Sequence, residues 1–524
     1  MLVPFLTACF LFCVFYVRVR RNADGTLHLP GPSTGIASFL WGHELLVFEH
    51  NATEMYTSWA RAFGPIFKIK AALFHPDIVV VTDHIAVQHI FADTTTYVKS
   101  PAFRPPISNL LGEGLVWAEG EDHAKQRKCL APAFSRESVR AMSSTICECA
   151  EKLAAELSNQ ALQAQGLTTV NILSRISACT LDIIGLVGFG HDFRALSSLK
   201  GSAEAREIRE SWDGHVTAAV TFPAFLAPLI VRAVPMILRV PLPVMRTHGV
   251  VRRIVGKLAC GIVDRRRREQ PANAGSFIGR GKDILSLMMN QGGAAGLLDQ
   301  EIIHNIVTFT MVGHETTAGS LAFTIWELAK HPELQTRLRE EIIQQGGDLG
   351  FDDVEKLEFL DAVIKEGLRL HAASPQTERV ALRDDAIPLE TPIRTVHGHE
   401  LTHLTIKKGQ IFHIPFTTMN TNPSVWGPDA VVFSPDRWLK PNGIPAPSQL
   451  PRGWSGILTF CDGPRNCIGQ RLAVFEAKVI LATLVRSLEF HDTGASVRPV
   501  IARTLQPVVD GEVGLLPIQV GLVH

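Results

Sequence analysis

Ten residues near the end of the chain, Phe460-Cys461-Asp462-Gly463-Pro464-Arg465-Asn466-Cys467-Ile468-Gly469, hold the side chains best suited to chemistry. A cysteine binds iron only as a thiolate, so it needs a loop that presents the sulfur and tolerates negative charge. Backbone N–H groups aimed at the sulfur lower its pKa. Glycines at 463 and 469 lack a Cβ, which allows turns and the close approach of a flat ligand. Gln470 to Leu484 has helical periodicity and would set a helix N-terminus against the Cys467 thiolate. A lone cysteine is usually buried packing, and Cys461 is read that way.

Three other segments place acids, hydroxyls and cations at helical spacing. Val312-Gly313-His314-Glu315-Thr316-Thr317 interrupts an apolar pattern with a glycine, which costs about 1 kcal/mol against alanine in mid-helix. We read it as a local opening of the helix, where Glu315 and Thr316 could hold water and pass protons. Glu366 and Arg369 share one helical face flanked by apolar residues, and Phe433-Ser434-Pro435-Asp436-Arg437-Trp438 supplies a second arginine. His123 and Arg127 lie four apart, again on one face, and Arg379 follows Pro375. Taken singly, each of these charges would be an ordinary solvated residue.

Taken together, they resemble the cytochrome P-450 family. The loop around Cys467 matches the pattern Phe-x-x-Gly-x-Arg-x-Cys-x-Gly at all its fixed positions. The other segments follow in the family's order, from the Pro-rich stretch at Leu29 to the C-terminus. The resemblance implies a mainly α fold with minor β sheets, in a single large domain behind an N-terminal transmembrane helix. It implies haem b held by His123, Arg127, Arg379, Phe460, Arg465 and Gly469, with Cys467 as the iron ligand. Glu315 and Thr316 would be the catalytic proton relay, and Glu366, Arg369 and Arg437 a structural lock behind the thiolate loop. Three departures are visible: His123 where tryptophan is common, Val312 where a small residue is frequent, and Pro435-Asp436-Arg437-Trp438 in place of the more usual Pro-Glu-Arg-Phe.

The elements that must position these residues are mostly helical. The longest apolar pattern starts after Asp299, a candidate N-cap, and stops at His331-Pro332. Ile66 to Thr82 reads as two strands broken at His75-Pro76, and Leu401 to Ile414 as a second β region turning at Lys407-Lys408-Gly409. Residues 271–282 and 291–296 read as surface connections.

Residues 1–17 carry no charge and would span about 26 Å as a helix at ~1.5 Å per residue. Arg18, Arg20 and Arg21 follow, as expected of a single-pass anchor with a cytosolic body. The charges lie on the wrong flank for a cleaved signal peptide. Residues 18–32 then form a basic, Pro-rich hinge before a domain at 33–524. The segment Thr221 to Arg246, apolar and cut by prolines, suits an interfacial membrane contact. Lys+Arg and Asp+Glu both number 51, so no charge excess points to nucleic acid. Nine cysteines without regular spacing argue against a disulfide framework or a zinc site.

The function that the resemblance implies is insertion of one oxygen atom from O₂ into a lipophilic molecule, such as a terpenoid or other secondary metabolite, a steroid or a xenobiotic. Gly112-Glu113-Gly114 lacks the third glycine of a dinucleotide fingerprint, so electrons are expected from a separate NADPH-dependent flavoprotein reductase. Lys125, Lys128 and Arg471 are candidates for its docking face, on the endoplasmic reticulum membrane. A haem-thiolate isomerase or dehydratase and a non-catalytic haem sensor would share the cysteine loop but would not use NADPH and O₂.

Overall fold

The helix Asp299–Lys330 runs through the centre of the molecule and is buried on nearly every face. Such a segment cannot show the one-sided apolar stripe of a surface helix. It begins one residue earlier than expected: Leu298 is the cap residue, its N–H donating to Glu301 Oε2 at 2.7 Å, and Asp299 is instead a first-turn acid paired with Arg267. Lys330 ends it, because Pro332 cannot continue the ladder and instead starts the helix Pro332–Gln345.

The computed structural model describes residues 25–523 except 74, 197–200, 235–248, 270–282, 291–295 and 347–348. The proposed anchor 1–17, residues 18–24 of the hinge and nearly all of the two surface connections lie outside the described residues. The rest of the hinge is not a spacer. Leu29 is buried in a core cluster, and Pro30 O accepts a hydrogen bond from Lys68 N at 2.9 Å, so these residues pack as part of the body.

The fold is mainly α, with small sheets at its margins. Strands Ile66–Ile69, Ile78–Val81, Ile411–Pro415, Gln376–Ala381 and Tyr97–Val98 form a mixed sheet in that order. Asp385–Arg394 pairs with Glu400–Ile406 in a two-stranded sheet. The turn at Lys407-Lys408-Gly409 therefore joins strands of two different sheets and closes no hairpin. Near the C-terminus Arg498–Ala502, Thr504–Val509 and Glu512–Val513 form one small sheet; Thr168–Asn171, Pro517–Leu522 and Leu488–Asp492 form another.

Gly313 corrects an expectation. The long helix continues unbroken through it, and a Cβ there would stand 3.0 Å from Ile184 Cγ1. The glycine is thus a packing choice, letting the helix Ile172–Phe189 lie close against the long helix. Ile172–Phe189 is apolar and long enough to cross a membrane, but 83% of it is buried inside the protein, which marks a core helix. Of the proline-cut segment Thr221 to Arg246, residues 235–246 lie outside the described residues, and the rest is not cut into short pieces. Phe222–Ala233 is one helix, and Phe225 and Leu229 are buried against Trp41, Leu45 and Phe48. Only Phe222 among these keeps a large exposed apolar surface.

Behind the Cys467 loop lies a buried charge network. Arg369 donates through Nε to Glu366 Oε2 at 2.8 Å and through Nη2 to Oε1 at 2.7 Å, and neither side chain reaches solvent. Ser434 N, Trp438 Nε1 and Arg437 Nε complete the shell around Glu366 at 2.9, 3.0 and 3.4 Å. Arg369 Nη1 also donates to Asn420 O at 2.9 Å. Asn420 Oδ1 in turn accepts from Leu458 N at 2.9 Å, and its Nδ2 donates to Thr459 Oγ1 at 3.1 Å. The lock thereby reaches the residues that enter the cysteine loop.

Arg369→Ala should cost about 3–5 kcal/mol, because it strands the Glu366 carboxylate in the core. Arg337→Ala, which breaks the exposed pair with Asp436, should cost less than about 1 kcal/mol. Denaturant midpoints of the purified variants measure the contrast, and equal shifts would reject it.

Candidate functional site: a thiolate cavity ringed by cations

Cys467 is fixed by its own loop. Its N–H donates to Phe460 O at 2.8 Å, and Asn466 N donates to Gly463 O at 3.0 Å. Gly463 has φ 67°, a left-handed turn, and a Cβ there would lie 2.6 Å from Phe91 O. Gly469 has no such need. Nothing would crowd a Cβ at 469 closer than Phe134 at 3.9 Å and Cys467 Sγ at 4.0 Å, so its bareness leaves space beside the sulfur.

Cys467 lies deep in the protein yet is accessible, because its surface faces a cavity. Burial raises its pKa, while the N–H groups of Gly469 and Gln470 and the Arg127 charge pull it back down. Those N–H groups stand at the start of the helix Gln470–Ser487, as the loop pattern requires. Cys461 is half-buried in a core cluster, also borders the cavity and sits beside Arg379; burial holds its thiol up.

The cavity offers about 400 Å³, within the range of about 300–1,000 Å³ usual for ligand pockets. Val312, Gly313, Thr316, Thr317 and Ser320 of the long helix line it together with Phe460, Cys467 and Gly469 of the loop.

Lys99, His123, Arg127, Arg379 and Arg465 also line it. One carboxylate reaches this cluster: Glu119 pairs with Lys99 at 3.0 Å and with Arg465. Arg127 donates to Asn466 O at 2.7 Å, and Arg379 to Thr377 Oγ1 at 2.6 Å. Burial and the Arg465 charge bring Lys99 down to about 8. His123 is pushed to about 3 by burial and by Arg465, Lys99 and Arg127, which leaves it neutral, able to donate one N–H. Four cations around a single acid call for further anions. Haem carries two propionates, so the donor set fits it.

Lys99 was not singled out from sequence, since a lone lysine after a short strand carries no signal. Glu476 was also missed. It borders the cavity, is fully buried, has an unpaired Oε1, and burial alone raises its pKa far enough to keep it neutral. An acid on an otherwise apolar helix was the available clue.

The structure separates Glu315 from Thr316. Thr316 donates from Oγ1 to Val312 O at 2.8 Å and borders the thiolate cavity. Glu315 does not border that cavity. It accepts from Ser177 Oγ at 2.7 Å and lies 3.2 Å from His314 Nε2. Burial works to raise its pKa, but these polar neighbours, His314 foremost, outweigh it and hold the carboxyl low. Glu315 faces a second cavity of about 190 Å³, which shares Val312 and Thr316 with the first. Phe103, Ile107, Leu110, Met311, Arg503 and Thr504 line it too. Residues from four separate stretches, Phe103 to Val116, Phe309 to Val312, Ala373 to Ser374 and Arg503 to Thr504, thus border one cavity or the other.

A sequence model of the cytochrome P-450 family matches residues 30–510. Among curated relatives, monooxygenase claP of Ampulloclitocybe clavipes is 32% identical over 447 residues, covering 84% of this chain and 82% of its own. Monooxygenase claO of the same fungus is 32% identical over 98% of this chain and 97% of its own. Monooxygenase 205 of Postia placenta is 30% identical over 88% of this chain and 86% of its own.

Reduced protein exposed to CO should show the red-shifted absorption band of thiolate-ligated haem. Cys467→Ala should abolish it and Cys461→Ala should keep it; the reverse would reassign the ligand. For the cation ring, Arg465→Ala and Lys99→Met should each lower the haem content of purified protein, while Lys128→Ala, at an exposed position, should not. Haem content by absorbance against protein mass reads this directly, and full occupancy in both ring variants would exclude them as cofactor contacts.

Proposed function

The chain belongs to the cytochrome P-450 family and is an enzyme of its monooxygenase class, and from that membership we propose a specific assignment of roles. The protein inserts one oxygen atom from O₂ into a lipophilic organic molecule, a secondary metabolite such as a terpenoid, or a xenobiotic. Bound haem b would supply the activation of O₂. The observation that carries the reading is the Cys467 sulfur, open to a cavity with Thr316 on its wall and cations at its edge.

Each side chain then has a task. Cys467 would ligate the iron, and the Gly469 and Gln470 N–H groups favour the anionic form of its sulfur against the effect of burial. Lys99, Arg127, Arg379, Arg465 and His123 hold the propionates. Thr316 Oγ1 presents a hydroxyl to the reaction space, and Glu315 stores a charge one wall behind it. Because the two cavities meet at Thr316, water between them would join carboxylate and hydroxyl into a proton path. Asp213 lies within electrostatic reach of Glu315. Its carboxyl is accessible at the surface yet pushed up to about 6 by burial and by the Glu315 charge, which suits proton exchange near neutral pH.

Electrons come from NADPH through a membrane-bound flavoprotein reductase. Lys128 and Arg471 are exposed and available to dock it, whereas Lys125 is held by Glu301 at 3.0 Å. Residues 1–17 anchor the protein in the endoplasmic reticulum membrane with the body in the cytosol. Exposed Phe39 and Phe222 support a further contact of the body with lipid.

The test is turnover of a panel of lipophiles with the protein and a reductase in vesicles, supplied with NADPH and ¹⁸O₂. One ¹⁸O atom per product is expected; product formed without NADPH and O₂ would favour the isomerase reading. In the same assay Thr316→Ala should still load haem and consume NADPH while product falls about a hundredfold or more, the lower end of the usual general-acid contribution. Undiminished product per NADPH would place the proton path elsewhere.

A further inference from the structure

One charged side chain beside the reaction space has no partner among the described residues. The strands Arg498–Ala502 and Thr504–Val509 pair with Ala502 opposite Thr504, so Arg503 alone forms the tip of their hairpin. Its φ of 72° is left-handed, a conformation that glycine adopts at far less cost. Leu505 N donates to Ala373 O at 2.8 Å and clamps the tip in place. So tight a turn favours glycine, and an arginine there points to a use for its side chain.

That side chain lines the second cavity, as do Thr316 and Met311 of the long helix. Arg503 is exposed by surface area, yet it lies deep enough that burial alone lowers its pKa. Both fit a side chain that lines the cavity. Among the described residues no hydrogen bond or ion pair satisfies its guanidinium. Glu315, which borders the same cavity, is engaged with Ser177 and His314. Away from the thiolate cavity, deep arginines are paired: Arg369 and Arg437 with Glu366, and Arg232 with Glu44. A desolvated cation without a counter-charge is costly unless a ligand supplies one. Around it the cavity is apolar, with Phe103, Ile107 and Leu110 among its lining residues.

We propose that Arg503 binds the carboxylate of the substrate, which is a lipophilic organic acid. Its apolar body packs among Phe103, Ile107 and Leu110 and passes Val312 and Thr316, the residues common to both cavities, toward Cys467. The planar guanidinium takes the carboxylate through two parallel hydrogen bonds. This inference rests on the monooxygenase reading and adds the substrate class.

The test uses the haem-loaded full chain and two matched pairs of probes: dodecanoate with dodecan-1-ol, and biphenyl-4-carboxylate with biphenyl-4-ylmethanol. Equilibrium dialysis and the ligand-induced shift of the ferric haem band read affinity without turnover. In at least one pair the acid should bind about tenfold tighter than the alcohol, the scale of a charge-assisted hydrogen bond. Arg503→Gln should remove that preference and leave alcohol affinity unchanged, and Arg503→Lys should retain part of it. Should Arg503→Gln load haem poorly, the wild-type ratio and the Arg503→Lys variant decide the matter. No acid preference in either pair, a preference that survives Arg503→Gln, or an equal loss of acid and alcohol binding would overturn the proposal. Acid-selective binding by a protein that gives no NADPH-dependent product would instead sink the monooxygenase reading alone.

Discussion

A carboxylate with no access to water, Glu366, has to be answered from within the protein, and much of the site hangs on how that is done. Arg369 covers both of its oxygens, and Ser434, Arg437 and Trp438 take the remaining lone pairs. Because Arg369 is itself fully buried, its other donors must also find acceptors, and one of these is the Asn420 carbonyl. Asn420 then holds Leu458 and Thr459, the two residues before the cysteine loop. The position of Cys467 is thus tied to the demand that one buried charge be paired.

Among the described residues the same demand is met at Arg232 and Glu44 as well, and it is left open at the cavities. Lys99, Arg127, Arg379 and Arg465 share one nearby acid, Glu119. The Glu476 carboxyl has an unpaired oxygen, and Arg503 has no partner among the described residues. All of these border the two cavities. An unmet charge in a protein that pairs deep arginines away from its cavities marks where something outside the chain is to bind. In the thiolate cavity the missing anions match a porphyrin's propionates; at Arg503 one anion is wanted, at the edge of an otherwise apolar wall.

The long helix divides these spaces. Successive residues on a helix point about 100° apart. Thr316 therefore lines the thiolate cavity while Glu315 turns away to Ser177, and the hydroxyl and the carboxylate act from different sides of one wall. Gly313 lets the helix Ile172–Phe189 press against that wall, which is why the wall stays unbroken where a helix opening was expected.

The sequence alone determined what depends on local spacing. The ten-residue loop specified Cys467, because the left-handed turn at Gly463 and the helix start at Gln470 are both set within a few residues. The Glu366–Arg369 pair and the stop at Pro332 were legible for the same reason. Tertiary structure decided whatever depends on residues far apart in the chain. Lys99 joined the cation ring only when the fold brought residues 99, 127, 379 and 465 together. Phe225 and Leu229 proved to be packed because Trp41 and Phe48 lay waiting across the chain. Arg503 became notable because no partner for it is found among the described residues. Periodicity reports which face of an element is apolar, but not what meets that face, and a charge shows itself paired or unpaired only when the whole chain has closed around it.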